Sequence, residues 1–600
     1  MSAARACFRR FSSFTLDSKD FATLRARGSM LVDKTGAIAD LLSGTMKDQS
    51  CVFFARPRKF GKSLTLSIAA EMLAAGPLPR GVAPWPGYAP VDAQALFGGL
   101  QVHERLLRDD PSLGTLLRRP HFVVKLDLGM AQTGAKLEAS IIRGLAAVAG
   151  SAFGPSFGAN VASIETPGDA LGALVNAVPA SVPVALLVDE YDAAILQDVS
   201  KGRWAAADEG MGALRSLVMS TKCLNLGPRI QRCLITGVAR FLRSLSSGGA
   251  NNFADLTGDP LMSRVLGFSE AEIRATFPEE LARLAGGLGT DVPGAVAQLA
   301  HLYSGHCFDG TTACFNPFPV LSALHAGAIT ELEMEAASGT NWLGLTRGGL
   351  VLGLVRELQR GLAVKEAPYH DIADLGRRRV RAVPLLLQTG LLSVVQSEPR
   401  CHPPNEYARN SLRRMLLCAM RDEGTDSVEG VRVAMDGLHA ALKRRSPSAL
   451  PEAATALLRL LPSALFEAVA QTGEVREACF HATLACALLV SAQVGAQVDL
   501  EPGSAPDGGA GIIIRFGDAA WVLEVGVGGS SDATLAQAQA YGEAQPEKSV
   551  LCCAVVVTTK GSASTAGAAG VPQVQVTCSW FERVVAAGAA GYGWVMAENN

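Results

Sequence analysis

Residues 53 to 67 read FFARPRKFGKSLTLS, and the middle of this stretch decides the fold. A phosphate-binding loop follows G-x-x-x-x-G-K-[S/T]: backbone N–H groups cradle the phosphates and the lysine reaches them. Gly61, Lys62 and Ser63 supply the second half of that pattern. Counting back five residues from Gly61 reaches Arg56, where the first glycine would stand. Pro57 beside it has no N–H to donate. Arg56, Arg58, Lys59 and Lys62 instead place four cations within seven residues. Such cations act on phosphates, as an arginine finger in cis, or as solvated charge. The expected cradle is Arg56, Arg58, Lys59, Phe60, Gly61, Lys62, Ser63 and Leu64.

The surroundings fit a phosphate loop. Four short apolar runs rich in branched residues stand in the first half: CVFF (51–54), FVVKLDL (122–128), VALLVDE (184–190) and RCLITGVA (232–239). Helical patterns separate them, which predicts an α/β fold with a parallel sheet flanked by helices. Such sheets bind ligands beyond the carboxyl ends of their strands, and FGKS follows the first run. The third run ends in Asp189 and Glu190. In that position Asp189, with Ser63, is the expected Mg²⁺ partner, and Glu190 the general base that polarises water. Asp192 is placed to orient them. Acids that merely end a strand in solvent are the plainer alternative.

Composition sets the remaining bounds. The 600 residues allow three or four domains. A hydrophobic content of 48% with 18% charge provides for buried cores. The net charge of −2 excludes a global nucleic-acid signature and leaves only local basic patches, GRRRVR (376–381) and LKRRS (442–446). Thirteen cysteines without a C-x-x-C pair fit a reduced intracellular chain, soluble in cytoplasm or nucleus. Residues 1–16 carry Arg5, Arg9 and Arg10 with interleaved serines and no acid. They read either as an organellar transit peptide or as a frayed basic tail. Residues 478–498 contain no charged residue but enough His, Thr, Ser and Gln to read as a buried helix running into a strand, so no membrane segment is expected.

The residues also carry a resemblance. FATLRARGSMLVDKTGAIADLL (21–42), RPRKFGKSLTLS, LFGGL (96–100), DEYDAAI and LITGVARF (234–241) are together similar to the AAA-ATPase-like family. Further pieces follow in order, among them ANNFADLT (250–257), GFSEAEI (267–273), FNPFPVLSAL (315–324), NWL (341–343) and PPNEYAR (403–409). That family's own loop reads R-P-R-[R/K]-F-G-K-S, so Arg56 at the glycine position is the family's pattern. The resemblance implies ATP and Mg²⁺ as ligands, Thr236 as a polar sensor at the γ-phosphate or the attacking water, and Arg240 either as a further group near the nucleotide or as surface charge. Asp33 and Lys34 match a hallmark upstream of the loop, read as a pair bracing it. One departure is LYSGHCF (302–308), which places His306 at a usual aromatic.

The family couples its P-loop ATPase to a C-terminal PD-(D/E)xK nuclease-like domain. Here the implied order is a helix (480–492), strands near 496–501, 511–517 and 520–527, a helix (533–544), and strands at 550–559 and 574–578. Gln537 and Tyr541 resemble the trailing Q-x-x-x-Y of that core. Its chemistry needs an acid on the second strand and Glu-x-Lys on the third. The third strand reads Glu524-Val525-Gly526, and the second-strand acid falls on Gly511. Only Glu524 remains, with Glu501 and Asp507 as poor substitutes. No lysine lies between Lys443 and Lys548, so no change of register restores the set. The expected layout is a basic tail (1–16), a P-loop domain (17–270), a helical lid (271–400), a linker (401–450) and a degenerate nuclease-like domain (451–600).

Three functions follow from this reading. The first is an Mg²⁺-dependent ATPase whose turnover rearranges the rest of the chain, with Lys62, Glu190 and Thr236 catalytic. The second is a nucleotide-dependent binding or scaffold protein with little turnover. An ATP-linked DNA nuclease, contacting nucleic acid through the C-terminal domain, is the third. Oligomeric state has no signature in the sequence.

Overall fold

The computed structural model describes residues 19–45, 51–241 except 114–115, 132 and 223–225, 253–329, 372–394 except 376–377, 401–408, 411, 428–458, 496–500, 512–527 except 517–518, 534–539 except 537, 549–560, 573–585 and 592–596. These fall into two compact units, one drawn from residues 1–341 and 364–408, the other from 342–363 and 409–600. The tail 1–16, the helix expected at 480–492 and NWL (341–343) lie outside the described residues.

The first unit is built on a five-stranded parallel sheet of β1 (Cys51–Ala55), β2 (Phe122–Asp127), β3 (Val184–Asp189), β4 (Ile230–Gly237) and β5 (Phe253–Asp255). Across the sheet the order is β2-β3-β4-β1-β5. Thus β4 separates the strand that feeds the phosphate loop from the strand that ends in Asp189. Each strand's side chains alternate between the sheet's faces. Val52 and Phe54, Ala185 and Leu187, and Leu234 join one core with Leu66, Ile68 and Met72 of the helix Lys62–Ala74. The alternate residues Phe53, Leu186 and Ile235 are equally buried. A sheet covered on both faces explains why these strands read as continuous apolar runs. Four strands match the expected runs; the three-residue edge strand β5 is too short to leave a periodic signal.

After β5 comes a helical segment with a core of its own. Helices Glu270–Thr276, Pro278–Leu288, Val292–Tyr303 and Pro317–Ala326 bury Phe277, Leu281, Leu284, Leu299 and Leu324 together. Ser269 and Glu272 close the first of these with a reciprocal capping box. A short antiparallel hairpin, His306–Cys307 against Ala313–Cys314, interrupts the helices.

The second unit contains a six-stranded sheet of Ala496–Leu500, Ile512–Phe516, Ala519–Val527, Ser549–Lys560, Gln573–Val585 and Tyr592–Met596, in chain order. Pairing is antiparallel except between Ala519–Val527 and Ser549–Lys560. A parallel pair needs a crossover, and helical residues 534–536 and 538–539 lie within that connection. Ala538 packs with Ala520, Val522, Val550 and Cys552 on one face. The neighbouring Trp521 donates its Nε1–H to the Leu442 carbonyl at 3.1 Å. Five strands fall near the positions expected from the sequence, Tyr592–Met596 is an addition, and Glu524 pairs in register with Ala554. Glu501, Asp507, Gly511, Gln537 and Tyr541 lie outside the described residues. Among the described residues, no helix is long and apolar enough to cross a membrane. Of the uncharged stretch 478–498, only 496–498 are described, and they open a strand.

Leu187 is fully buried at the middle of β3. Leu187→Ala leaves a cavity there and is expected to lower the unfolding free energy by roughly 2–5 kcal/mol, read as a shifted midpoint in urea denaturation.

Candidate functional site

Beyond the carboxyl ends of β1, β3 and β4 the loop Arg56–Gly61 turns the chain into the helix Lys62–Ala74. The Arg56 N–H bonds the Gly237 carbonyl at 3.1 Å, continuing the ladder to β4. Two residues then take left-handed backbone, Lys59 with φ 64° and Gly61 with φ 92°. Gly61 does so without steric cost and caps the helix. The first N–H groups of that helix have no intrahelical partner and carry the positive end of its dipole. They open on a cleft of about 400 Å³.

One end of the cleft is polar. Arg58, Lys59, Phe60, Gly61, Lys62, Ser63, Leu64, Glu190 and Asp192 line it. The Lys62 ammonium is buried and donates to the carbonyls of Arg56 at 2.9 Å and Pro57 at 2.8 Å. Burial pushes it down to about 8, against the pull of Asp189, Asp192 and Glu190. Asp189 is 2% exposed, and its carboxyl is raised by burial while the Ser63 hydroxyl beside it acts in the opposite sense. The other end is apolar, formed by Met30 and Val32, Phe268 and Phe277, and Phe318 and Leu321.

The DEYD segment is held from several sides. Glu190 has φ 51°, and its N–H donates to its neighbour's Asp189 Oδ1 at 3.0 Å. Asp127 ends β2 in register with Asp189 and accepts the Gly129 N–H at 3.0 Å. A Cβ on Gly129 would collide with Glu190 Oε2. The Tyr191 hydroxyl donates to the Ala239 carbonyl at 2.7 Å and accepts the Phe241 N–H at 3.0 Å. Asp192, 1% exposed, accepts the N–H groups of Val238 at 2.9 Å and Ala239 at 2.6 Å. The sequence pattern did not disclose Asp127, Gly129 or Tyr191, because their parts depend on which strand ends are neighbours.

The other residues singled out in the sequence have the following surroundings. Arg56 does not line the cleft; its guanidinium is 1% exposed and lies within the protein. Thr236 is fully buried at the end of β4, and its hydroxyl donates to the Phe54 carbonyl at 2.9 Å. Arg240 forms an ion pair with Asp255 at the end of β5. Lys34 reaches both Glu272 oxygens, at 2.7 and 2.8 Å. Asp33 accepts the Thr35 N–H at 2.9 Å and the Gln101 N–H at 2.8 Å. His306 stacks edge-on against Phe60 with ring centroids 5.2 Å apart.

The family model described as a predicted AAA-ATPase, the AAA-ATPase-like family, matches residues 16–75, which include the whole loop. The chain is also similar to a protein of Azotobacter chroococcum mcd 1 described as an uncharacterized protein in the vnfD 5′ region. The two are 29% identical over 397 residues, taking in 64% of this chain and 66% of that protein, just under two thirds of its length.

Burial pushes Asp192 up to about 6 from 3.8, against the backbone N–H bonds that favour its charge. Between these values the folded state binds more protons than the unfolded, so this group's contribution to stability falls as pH rises through that window. Asp192→Asn is expected to remove that falling limb, measured as urea midpoints from pH 4 to 7.

Proposed function

We propose that the cleft binds ATP and that the chain is an ATPase. The observation that carries this reading is the arrangement around β4: Lys62 and the helix N-terminus that follow β1, and Glu190 after β3, line one cleft, with Asp189 buried beside Ser63. Triphosphate oxygens fit against the N–H groups that open the helix at residues 61–64 and the Lys62 ammonium. Arg58 and Lys59 add charge at the rim. The apolar end is matched in character to a nucleobase.

The Ser63 hydroxyl next to the buried Asp189 carboxylate is a donor set suited to Mg²⁺, a hard cation that prefers oxygen. When bound there, Mg²⁺ supplies charge neutralisation for the β- and γ-phosphates. Glu190 holds and polarises a water; the water's oxygen forms a bond to the γ-phosphorus as the bond to the ADP oxygen breaks, and Glu190 takes the water's proton. Thr236, engaged on Phe54, braces β4 against β1 behind this centre, and Asp192 holds the turn after β4. Lys62 binds the phosphates once released from the loop carbonyls.

A second reading, a nucleotide switch with little turnover, draws on that same contact, because Lys62 already satisfies two loop carbonyls. For the second unit we propose a PD-(D/E)xK-like fold without cleavage. Its strand order and parallel crossover pair support the fold, and the absence of a lysine two residues after Glu524 argues against nuclease chemistry.

ATP hydrolysis with Mg²⁺ tests the first reading. Lys62→Ala is expected to abolish ATP binding, and Glu190→Gln to keep binding while turnover falls by about 100-fold or more. Wild-type binding without hydrolysis leaves the switch reading in its place. Gly129→Ala is expected to lower kcat by about tenfold with Kd for ATP little changed, because its methyl group displaces the Glu190 carboxylate; single-turnover assays distinguish the two constants.

A further inference from the structure

Arg56 stands where a phosphate loop ordinarily has glycine, yet its backbone is not among the left-handed residues of the chain. The position therefore makes no demand for glycine, and the side chain has been given another place. Its Nη1 donates to the Ala55 carbonyl at 2.9 Å and to the Thr257 carbonyl, in the turn after β5, at 2.5 Å. Its guanidinium carbon lies 4.3 Å from the centre of the Phe308 ring, in the hairpin of the helical segment. Nε and Nη2 have no hydrogen-bond partner among the described residues, so the ring face is the main compensation for that side of the cation. Burial lowers the guanidinium only to about 10, and it stays charged at neutral pH.

Two neighbours face the same way. Phe60 meets the Phe308 ring edge-on at 5.5 Å between centroids. The Lys59 ammonium lies 4.6 Å from the centre of the Phe318 ring. Three of the loop's side chains therefore contact the segment 306–318, while the loop's helix end faces the cleft.

We infer that Arg56 is a positioning residue that clamps the phosphate loop to Phe308 and the Thr257 turn, holding the loop backbone in its curved form, and is not a phosphate ligand. The effect on nucleotide affinity rests on the ATP reading above; the clamp itself does not.

The test uses the full chain and Arg56→Gly, which restores the ordinary loop pattern, Arg56→Lys, and Phe308→Leu, which keeps apolar bulk but removes the ring face. Hydrogen–deuterium exchange of residues 56–64 is measured without nucleotide, and Kd for ATP by calorimetry. The expected result is about tenfold faster loop exchange and about tenfold weaker ATP binding in Arg56→Gly and Phe308→Leu. The double variant is then no weaker than Arg56→Gly alone, and Arg56→Lys falls between. Unchanged loop exchange in Phe308→Leu or in Arg56→Gly overturns the clamp, and an Arg56→Gly protein that binds ATP as tightly as wild type overturns its effect on nucleotide affinity. If Arg56→Gly does not fold, Phe308→Leu decides the matter alone. A wild-type chain that binds no ATP overturns the nucleotide reading, and the exchange rates still decide the clamp.

Discussion

Burying the Lys62 ammonium on two carbonyls of its own loop, with the acids of the DEYD turn acting on its charge, is the constraint on which this structure depends. An unpaired charge taken out of water is costly, and the cost is met only by opposite charge and hydrogen bonds held in fixed geometry. Lys62 belongs to the loop, Asp189 and Glu190 to the end of β3, and Asp192 to the turn behind it. Their assembly requires β1 and β3 to end at the same level with β4 between them. The Asp192 bonds to Val238 and Ala239 and the Tyr191 bonds to Ala239 and Phe241 set that level. Sheet order, the DEYD turn and the buried lysine are thus one requirement expressed in three places.

The same logic extends outward. Strand β5 adds Asp255, which pairs with Arg240, and the turn after it supplies the carbonyl that receives Arg56. Lys34 ties the segment before β1 to Glu272, which also caps its helix. Charged residues that read as surface or as ligands are here joints between segments, added to the apolar contacts that join the same elements.

Much of the fold is legible in the sequence because a sheet covered on both faces writes itself as unbroken apolar runs. The loop is legible because Gly61, Lys62 and Ser63 have few other uses in that order after a strand, and Asp189 because an acid stands at the end of a third such run. The surroundings of Arg56 and Thr236 were not legible for a common reason: sequence reports charge and hydroxyl groups but not the direction in which a turn sends them. Asp127 and Gly129 matter only once β2 and β3 are known to be neighbours. The apolar end of the cleft joins residues near 30, 270 and 320, contacts that no local pattern encodes. In the second unit, strands at 512–516 and 519–527 fall on the apolar runs of the sequence, while Glu501, Asp507 and Gly511 lie outside the described residues.

The bonds from Lys62 to the carbonyls of Arg56 and Pro57 also have a kinetic meaning. On the ATP reading proposed above, an anion arriving at the cleft meets an ammonium that is already occupied, so capture includes a step internal to the protein in which those bonds are exchanged. The rate of arrival is then governed by the loop's own rearrangement, with a temperature dependence set by broken hydrogen bonds and not by the viscosity of water.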